Sequence, residues 1–167
     1  MQVNWQLSLK AKRMIAEKFV DAHMKTAEVY SQLSSARRLQ VGCVVVKDNT
    51  IIGIGYNGMP SGWTNDCEEK TYKDIDPNWQ YLEEDGTVYS LKTKAEVLHA
   101  ETNALAKIAK STNSSEGAAL FVTHAPCLDC AKLIYQSGIN SVYYRNNYRS
   151  DDGLDFLKTC NVKVEKC

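Results

Sequence analysis

Hydrophobic positions follow helical spacing in some segments of the 167-residue chain and form strand-like runs in others. Spacings near three and four, uninterrupted by Pro or Gly, predict one long helix over residues 9–34. Two β-branched runs, Val41–Val46 and Ile51–Tyr56, flank a polar turn and predict a hairpin. The remaining periodic segments predict helices over 96–110, 127–136 and 151–159, and strands over 118–123, 141–145 and 162–164.

This order of elements predicts the fold class. A helix and a hairpin are followed by strands that alternate with helices, and no internal repeat is present. Such an order is typical of an α/β protein, here a three-layer α/β/α sandwich with a mixed central sheet. The length fits one domain over residues 1–167, since domains usually hold roughly 100–200 residues.

Residues 63–97 do not fit the periodic pattern. They are polar, rich in Trp and Tyr, and broken at Asp76-Pro77 and Asp85-Gly86. We interpret them as an inserted, irregular segment. Their aromatic side chains fit either a subunit interface or a local mini-core.

Charge and hydropathy exclude several classes of protein. Lys and Arg number 20 and Asp and Glu number 20, so no basic excess favours binding along DNA or RNA. No apolar run approaches the roughly 20 residues that span a bilayer. Residues 1–13 also lack the apolar core of a signal peptide. We therefore expect a soluble protein of the cytoplasm, without a membrane or nucleic-acid partner.

Two of the six cysteines are closely spaced. Cys127 and Cys130 follow Pro126 at the start of a predicted helix, where both sulfur atoms would face the same side. A Cys-x-x-Cys pair in an intracellular protein is either a redox pair or part of a metal site. The positive end of a helix dipole lowers the pKa of a thiol, which suits a metal ligand.

A second short motif, His99-Ala100-Glu101, begins another predicted helix. His99 with Cys127 and Cys130 would provide three ligands suited to zinc, leaving a fourth position open for water as in a catalytic site. Cys67 as a fourth ligand would instead make a closed, structural site. Glu101 would lie beside the metal-bound water and exchange protons with it, since zinc brings the pKa of such a water to about 7.

Three stretches together resemble the deoxycytidylate (dCMP) deaminases of the zinc-dependent cytidine deaminase superfamily. These are residues 53–62, 99–104 and 126–132, within a similarity that extends from about Leu33 to Val164. The His/Cys/Cys motif is shared by the whole superfamily, whereas the Tyr-Asn-Gly-x-Pro-x-Gly loop is typical of the dCMP deaminase branch. The resemblance implies the cytidine deaminase fold. It also implies hydrolysis of dCMP to dUMP and ammonia, which would supply dUMP for dTTP synthesis.

The resemblance also implies roles for individual residues. His99, Cys127 and Cys130 would hold one catalytic zinc per subunit, and Glu101 would transfer protons between water, N3 and the leaving amine. The remaining substrate contacts would come from the backbone N–H of Ala100 to the pyrimidine carbonyl, Asn57 to the sugar, and Arg38 and Tyr148 to the phosphate.

Regulation and assembly are further implications of the resemblance. Members of the family are commonly homohexamers that dCTP activates and dTTP inhibits. The effector site would lie near the loop that contains Gly58, Pro60, Ser61 and Gly62. The location would be the cytoplasm, or the host cytoplasm for a viral protein.

The chain departs from part of the family in one respect. Some phage relatives hold a second, structural zinc, but this chain has no His between His23 and His99. Residues 36–38, Ala-Arg-Arg, occupy the position of an early Cys ligand. We therefore predict one zinc per subunit.

Two alternatives remain open. The chain could be a deaminase of another substrate, such as dCTP, cytidine or a tRNA adenosine. It could also be a non-catalytic, zinc-stabilised binding module, whose function would survive substitution of Glu101.

Overall fold

The structure, a computed structural model, describes residues 15–167, in which a five-stranded sheet is covered by helices on both faces. The helices are α1 (Glu17–Ser31), α2 (Ala100–Ala109), α3 (Leu128–Gln136) and α4 (Asp152–Thr159). The strands of this sheet are β1 (Gly42–Lys47), β2 (Thr50–Tyr56), β6 (Ala119–His124), β7 (Ser141–Asn146) and β8 (Lys163–Lys166). Their order is β2-β1-β6-β7-β8, with β1 antiparallel to both neighbours and β6, β7 and β8 parallel.

Side chains of β1 alternate between the two faces of this sheet, as the pleat of a strand requires. Cys43 and Val45 pack into the core beneath α2, α3 and α4, while Val44 and Val46 pack against α1. The continuous β-branched run of β1 reflects burial on both faces. The predicted three-layer α/β/α sandwich with a mixed sheet is confirmed.

Two local features determine the turn of the β1–β2 hairpin and the close packing of α2 on β2. Asp48 and Asn49 both have positive φ, 47° and 63°, which makes the two-residue turn between β1 and β2. Gly55 lies under α2, where a Cβ atom would overlap the carbonyl oxygen of Ala100 and lie 2.7 Å from the amide nitrogen of Ala104. The absence of a side chain at Gly55 therefore lets the first turn of α2 lie directly on the sheet.

The prediction that residues 63–97 are irregular was wrong. They contain three antiparallel strands, β3 (Glu68–Thr71), β4 (Gln80–Leu82) and β5 (Val88–Thr93), in the order β3-β5-β4. These strands are short and mostly polar, with little apolar alternation for sequence inspection to detect. Tyr81 stacks on Tyr89 across β4 and β5, with ring centroids 5.5 Å apart. We call residues 63–97 the insertion below.

Two helices, α1 and α2, have boundaries that differ by more than one residue from those predicted. The long first helix is α1, which ends at Ser31, and the predicted residues 9–14 lie outside the described residues. Helix α2 begins at Ala100 rather than at residue 96, because Leu98 pairs with Gly58 through two backbone hydrogen bonds of 2.9 and 3.1 Å. Between residues 15 and 167, no helix combines the length and apolar content needed to cross a bilayer.

Candidate metal centre and substrate cavity

The three predicted metal ligands lie at the starts of two helices that contact each other. His99 precedes α2 and Cys127 precedes α3, both in extended backbone conformation, and Cys130 lies in the first turn of α3. Their Nδ1 and Sγ atoms all lie within 4.8 Å of one another. Among the residues that the structure describes, this is the one such group of His, Cys, Asp and Glu.

The spacing of these atoms fits zinc. Nδ1 of His99 lies 3.3 Å from Sγ of Cys130 and 3.7 Å from Sγ of Cys127. Zinc–sulfur bonds of about 2.3 Å and zinc–nitrogen bonds of about 2.0–2.1 Å at a tetrahedral angle place these atoms about 3.5 Å apart. The two soft sulfur ligands and one imidazole therefore match zinc in chemistry and in geometry, and a fourth position is left open.

The two cysteines differ in their ease of deprotonation. The Cys130 thiol and the His99 ring both donate to Sγ of Cys127, which lowers the pKa of Cys127 from 9.0 to about 4. The same contact with Cys127, together with burial, raises the pKa of Cys130. The thiolate of Cys127 in turn raises the pKa of His99. The cluster thus concentrates negative charge on sulfur, where a cation would bind.

Glu101 lies one residue into α2, and its side chain is removed from water. The residue is only 4% exposed. Burial raises the pKa of its carboxyl group, while its own backbone N–H and the nearby His99 act in the opposite direction. A buried carboxyl group whose pKa is raised holds a proton more readily than an exposed one, which suits a general acid–base.

A cavity of about 430 Å³ opens beside this cluster. Most of the residues that we predicted from sequence as site residues line its wall: Arg38, Asn57, His99, Ala100, Glu101, Cys127 and Tyr148. Cys130 is buried behind the wall, at 2% exposure. The structure therefore gathers the predicted ligands and the predicted substrate contacts around one space.

The predicted effector loop lies outside this wall. Gly58 pairs with Leu98, and the carbonyl of Pro60 accepts a hydrogen bond from the backbone of Trp63. Gly62 has a φ of +88°, a conformation that favours Gly, and Ser61 is exposed. The loop is thus a turn region next to the site, and its role with effectors stays a prediction.

Asn57 uses its side chain within the protein. Its Oδ1 accepts the N–H of Val41 and its Nδ2 donates to the carbonyl of Leu39, both at 2.8 Å. One Nδ2 proton remains for a ligand in the cavity, so a sugar contact stays a prediction. The N–H of Ala100 belongs to the first turn of α2 and has no partner within the helix.

The cavity wall also contains residues that the sequence did not reveal. Glu68, Trp79 and Thr93 belong to the insertion, and Asn147 follows β7. None of them lies in a motif, and an insertion interpreted as irregular offered no reason to place its residues near the metal centre. His124 also lines the cavity, with its Nδ1 held 3.2 Å from the Thr123 hydroxyl.

Comparison with known proteins places this site in a family. The model of the cytidine and deoxycytidylate deaminase zinc-binding region matches residues 17–146. The deoxycytidylate deaminase of Enterobacteria phage T4 is 31% identical over 165 residues, covering 84% of this chain and 86% of its own. The Homo sapiens deoxycytidylate deaminase is 37% identical over 136 residues, covering 77% of this chain and 65% of its own.

A solved structure is similar over nearly the whole chain. It is the dCMP deaminase from the cyanophage S-TIM5 in complex with dCMP and dUMP, with a TM-score of 0.76 and 46% identity. The match covers 92% of this chain and 100% of that protein.

Proposed function

Because the chain belongs to the cytidine and deoxycytidylate deaminase family, we propose that this hydrolytic deaminase converts dCMP and water to dUMP and ammonia. The observation on which this rests most is the cluster of His99, Cys127 and Cys130 beside the buried Glu101, on one cavity. The relatives named dCMP deaminases support the choice of substrate. The product would serve dTTP synthesis in the cytoplasm.

The residues of this site can be given chemical roles. His99, Cys127 and Cys130 would hold one zinc per subunit, which when bound supplies the Lewis acidity that activates water near neutral pH. Glu101 would carry the first proton of the attacking water to N3 of the pyrimidine. It would then carry the proton of the hydroxyl group formed on C4 to the amine, which leaves as ammonia. The N–H of Ala100 would bind the pyrimidine carbonyl and fix the orientation of C4.

We assign the 5′-phosphate of the substrate to Arg38 and Tyr148. Both lie on the wall of the same cavity as Glu101. The planar guanidinium of Arg binds phosphate oxygens in pairs, and a Tyr hydroxyl adds a further donor. One local Arg is sufficient for a single phosphate, which fits a chain of zero net charge.

The substrate assignment predicts a strong preference for the phosphorylated deoxynucleotide. Ammonia release from dCMP should exceed that from deoxycytidine by at least about tenfold in kcat/KM, because hydrogen bonds to charged groups contribute roughly 1.5–3 kcal/mol each. The assay measures ammonia with dCMP, dCTP, CMP, deoxycytidine and cytidine at matched concentrations. Equal turnover of dCMP and deoxycytidine would contradict the phosphate assignment, and no turnover of any substrate would favour a binding module.

We further propose that the enzyme is a homohexamer activated by dCTP and inhibited by dTTP. The support is the resemblance of residues 57–62 to the loop of regulated dCMP deaminases. A triphosphate acts only through different affinities for two conformational states, so dCTP should shift a sigmoidal dCMP saturation curve to lower concentrations. Light scattering gives the mass of the assembly. A monomer with hyperbolic kinetics, indifferent to both triphosphates, would remove this proposal and leave the deaminase assignment intact.

A further inference from the structure

We propose that Glu68 of the insertion is a positioning residue for substrate phosphate recognition. It would act by fixing the backbone of residues 36–41 so that the guanidinium of Arg38 faces the cavity. This inference rests on the proposed function, because it takes dCMP as the substrate and Arg38 as a phosphate contact. It gives the insertion a part in substrate selection.

Glu68 is the first residue of β3, and its carboxylate is directed into the protein. The side chain is 1% exposed. Its Oε1 accepts the backbone N–H of Arg37 at 3.0 Å and that of Arg38 at 3.1 Å. A carboxylate is buried at high cost unless such donors replace water. The buried charge is therefore directed to the backbone of the one segment that contains Arg38.

Salt bridging does not account for the position of Glu68. The nearest guanidinium nitrogen, Nε of Arg37, lies 3.8 Å from Oε2, and the Arg37 side chain is 53% exposed. At that separation and exposure the pair contributes little. The two hydrogen bonds from the backbone N–H groups of Arg37 and Arg38 to Oε1 are shorter and partly buried. They therefore account for the position of the Glu68 side chain.

A second side chain holds the same segment from the hairpin side. Asn57, directly after β2, bonds to the backbone of Leu39 and Val41 at 2.8 Å each. Residues 36–41 contain no helix or strand. Because they lack a backbone ladder of their own, side chains bind much of their backbone, and Glu68 and Asn57 together bind four of its N–H and C=O groups.

Two residues of the insertion contact the guanidinium of Arg38, but they do not use all of its N–H donors. The Arg38 side chain is 12% exposed, with Nη2 3.6 Å from the carboxylate of Asp76 and Nη1 3.4 Å from the hydroxyl of Thr93. Both contacts are long, and a guanidinium has five N–H donors. Donors therefore remain for a ligand in the cavity that Arg38 lines. A phosphate group has the charge and the oxygen spacing to accept them.

The two ends of the proposed substrate would thus depend on different parts of the chain. Glu101 and the metal ligands, at the starts of α2 and α3, act on the base. Arg38, oriented by Glu68, binds the phosphate. Loss of Glu68 should consequently affect nucleotides and spare nucleosides, whereas a residue needed only for stability would affect both alike.

The test compares Glu68→Ala with wild type on dCMP and on deoxycytidine, which lacks the phosphate. We expect KM for dCMP to rise about tenfold or more, from the loss of a hydrogen-bonded charged group, with little change in kcat. The kcat/KM for deoxycytidine should stay at the wild-type value. Where turnover of deoxycytidine is too slow to measure, dissociation constants of dUMP and deoxyuridine from calorimetry provide the same comparison.

Three further variants separate positioning from folding. Glu68→Gln keeps an Oε1 acceptor and should recover most of the dCMP affinity. Glu68→Asp withdraws the carboxylate by one methylene and should give an intermediate KM, so it replaces Glu68→Ala if that variant does not fold. Glu69→Ala, on the same strand, removes an exposed carboxylate 3.8 Å from Lys92 and should match wild type.

Combination with Arg38→Ala decides whether Glu68 acts through Arg38. We expect the double variant Arg38→Ala/Glu68→Ala to lose no more dCMP affinity than Arg38→Ala alone, as residues acting in series do. Additive losses, equal losses for dCMP and deoxycytidine, or wild-type behaviour of Glu68→Ala would each overturn the proposal. Absence of dCMP turnover in the wild-type protein would instead refute the proposed function, so the two failures are distinguishable.

Discussion

Glu101→Gln should lower kcat for dCMP by about 10⁴-fold or more while the protein keeps its zinc and its fold. The amide has nearly the same shape as the carboxyl group but cannot accept and return a proton. General acid–base catalysis contributes typically about 10²–10⁴-fold for a single transfer, and Glu101 would serve several transfers in one turnover. The measurements are steady-state ammonia release and zinc content on the same preparation.

The buried position of Glu101 sharpens this prediction. The residue is 4% exposed, and its carboxyl group lies close enough to His99 for the two charges to interact. Glu96→Gln is the matched control, because Glu96 is an exposed carboxylate that shortly precedes the same helix. A Glu101→Gln enzyme that kept a tenth of wild-type turnover with zinc bound would reject Glu101 as the proton carrier.

The central sheet and its helices could be predicted from sequence because their residues are constrained by burial. Val44, Val45 and Val46 are almost fully buried, and such a continuous run is typical of a strand covered on both faces. The cluster of His99, Cys127 and Cys130 was also predictable, since these residues occur in two short motifs whose chemistry depends on residue type. Burial and ligand chemistry both leave a signal in the local sequence.

The insertion left no such signal. Its strands pair in a small sheet in which Leu82 is 70% exposed and the residues of β3 are largely polar. Apolar periodicity is weak where so little surface is buried. The turn between β4 and β5, with Gly86 at a φ of +84°, was visible only as a break in the pattern.

The side chains that bind distant backbone groups through hydrogen bonds were the least predictable part of the site. Glu68 bonds to residues 30 and 31 positions earlier in the chain, and Asn57 to residues 16 and 18 positions earlier. Such contacts depend on the tertiary fold rather than on spacing. The resemblance assigned Asn57 to the sugar, whereas the structure shows that its amide also holds the segment that contains Arg38. Asn57 thus fixes the backbone that forms part of the cavity wall and also lines the cavity itself.

Replacement of any one metal ligand should remove zinc and activity together. His99→Ala, Cys127→Ser and Cys130→Ser each leave two protein ligands, which is too few to retain zinc in a site that keeps an open position for catalysis. Wild-type protein should contain about one zinc per chain, and each variant close to none. Elemental analysis of the purified protein, with ammonia release from dCMP on the same samples, gives both quantities.

Cys67→Ala is the matched control for these variants. Cys67 is also buried, but its sulfur lies 3.6 Å from the hydroxyl of Ser35, outside the group of ligands that the structure gathers among residues 15–167. The variant should therefore keep its zinc and most of its turnover. Loss of zinc in Cys67→Ala would indicate a fourth protein ligand and hence a closed, structural site. Two tightly bound zinc ions per wild-type chain would contradict the prediction of one per subunit, because a second metal would require ligands beyond His99, Cys127 and Cys130.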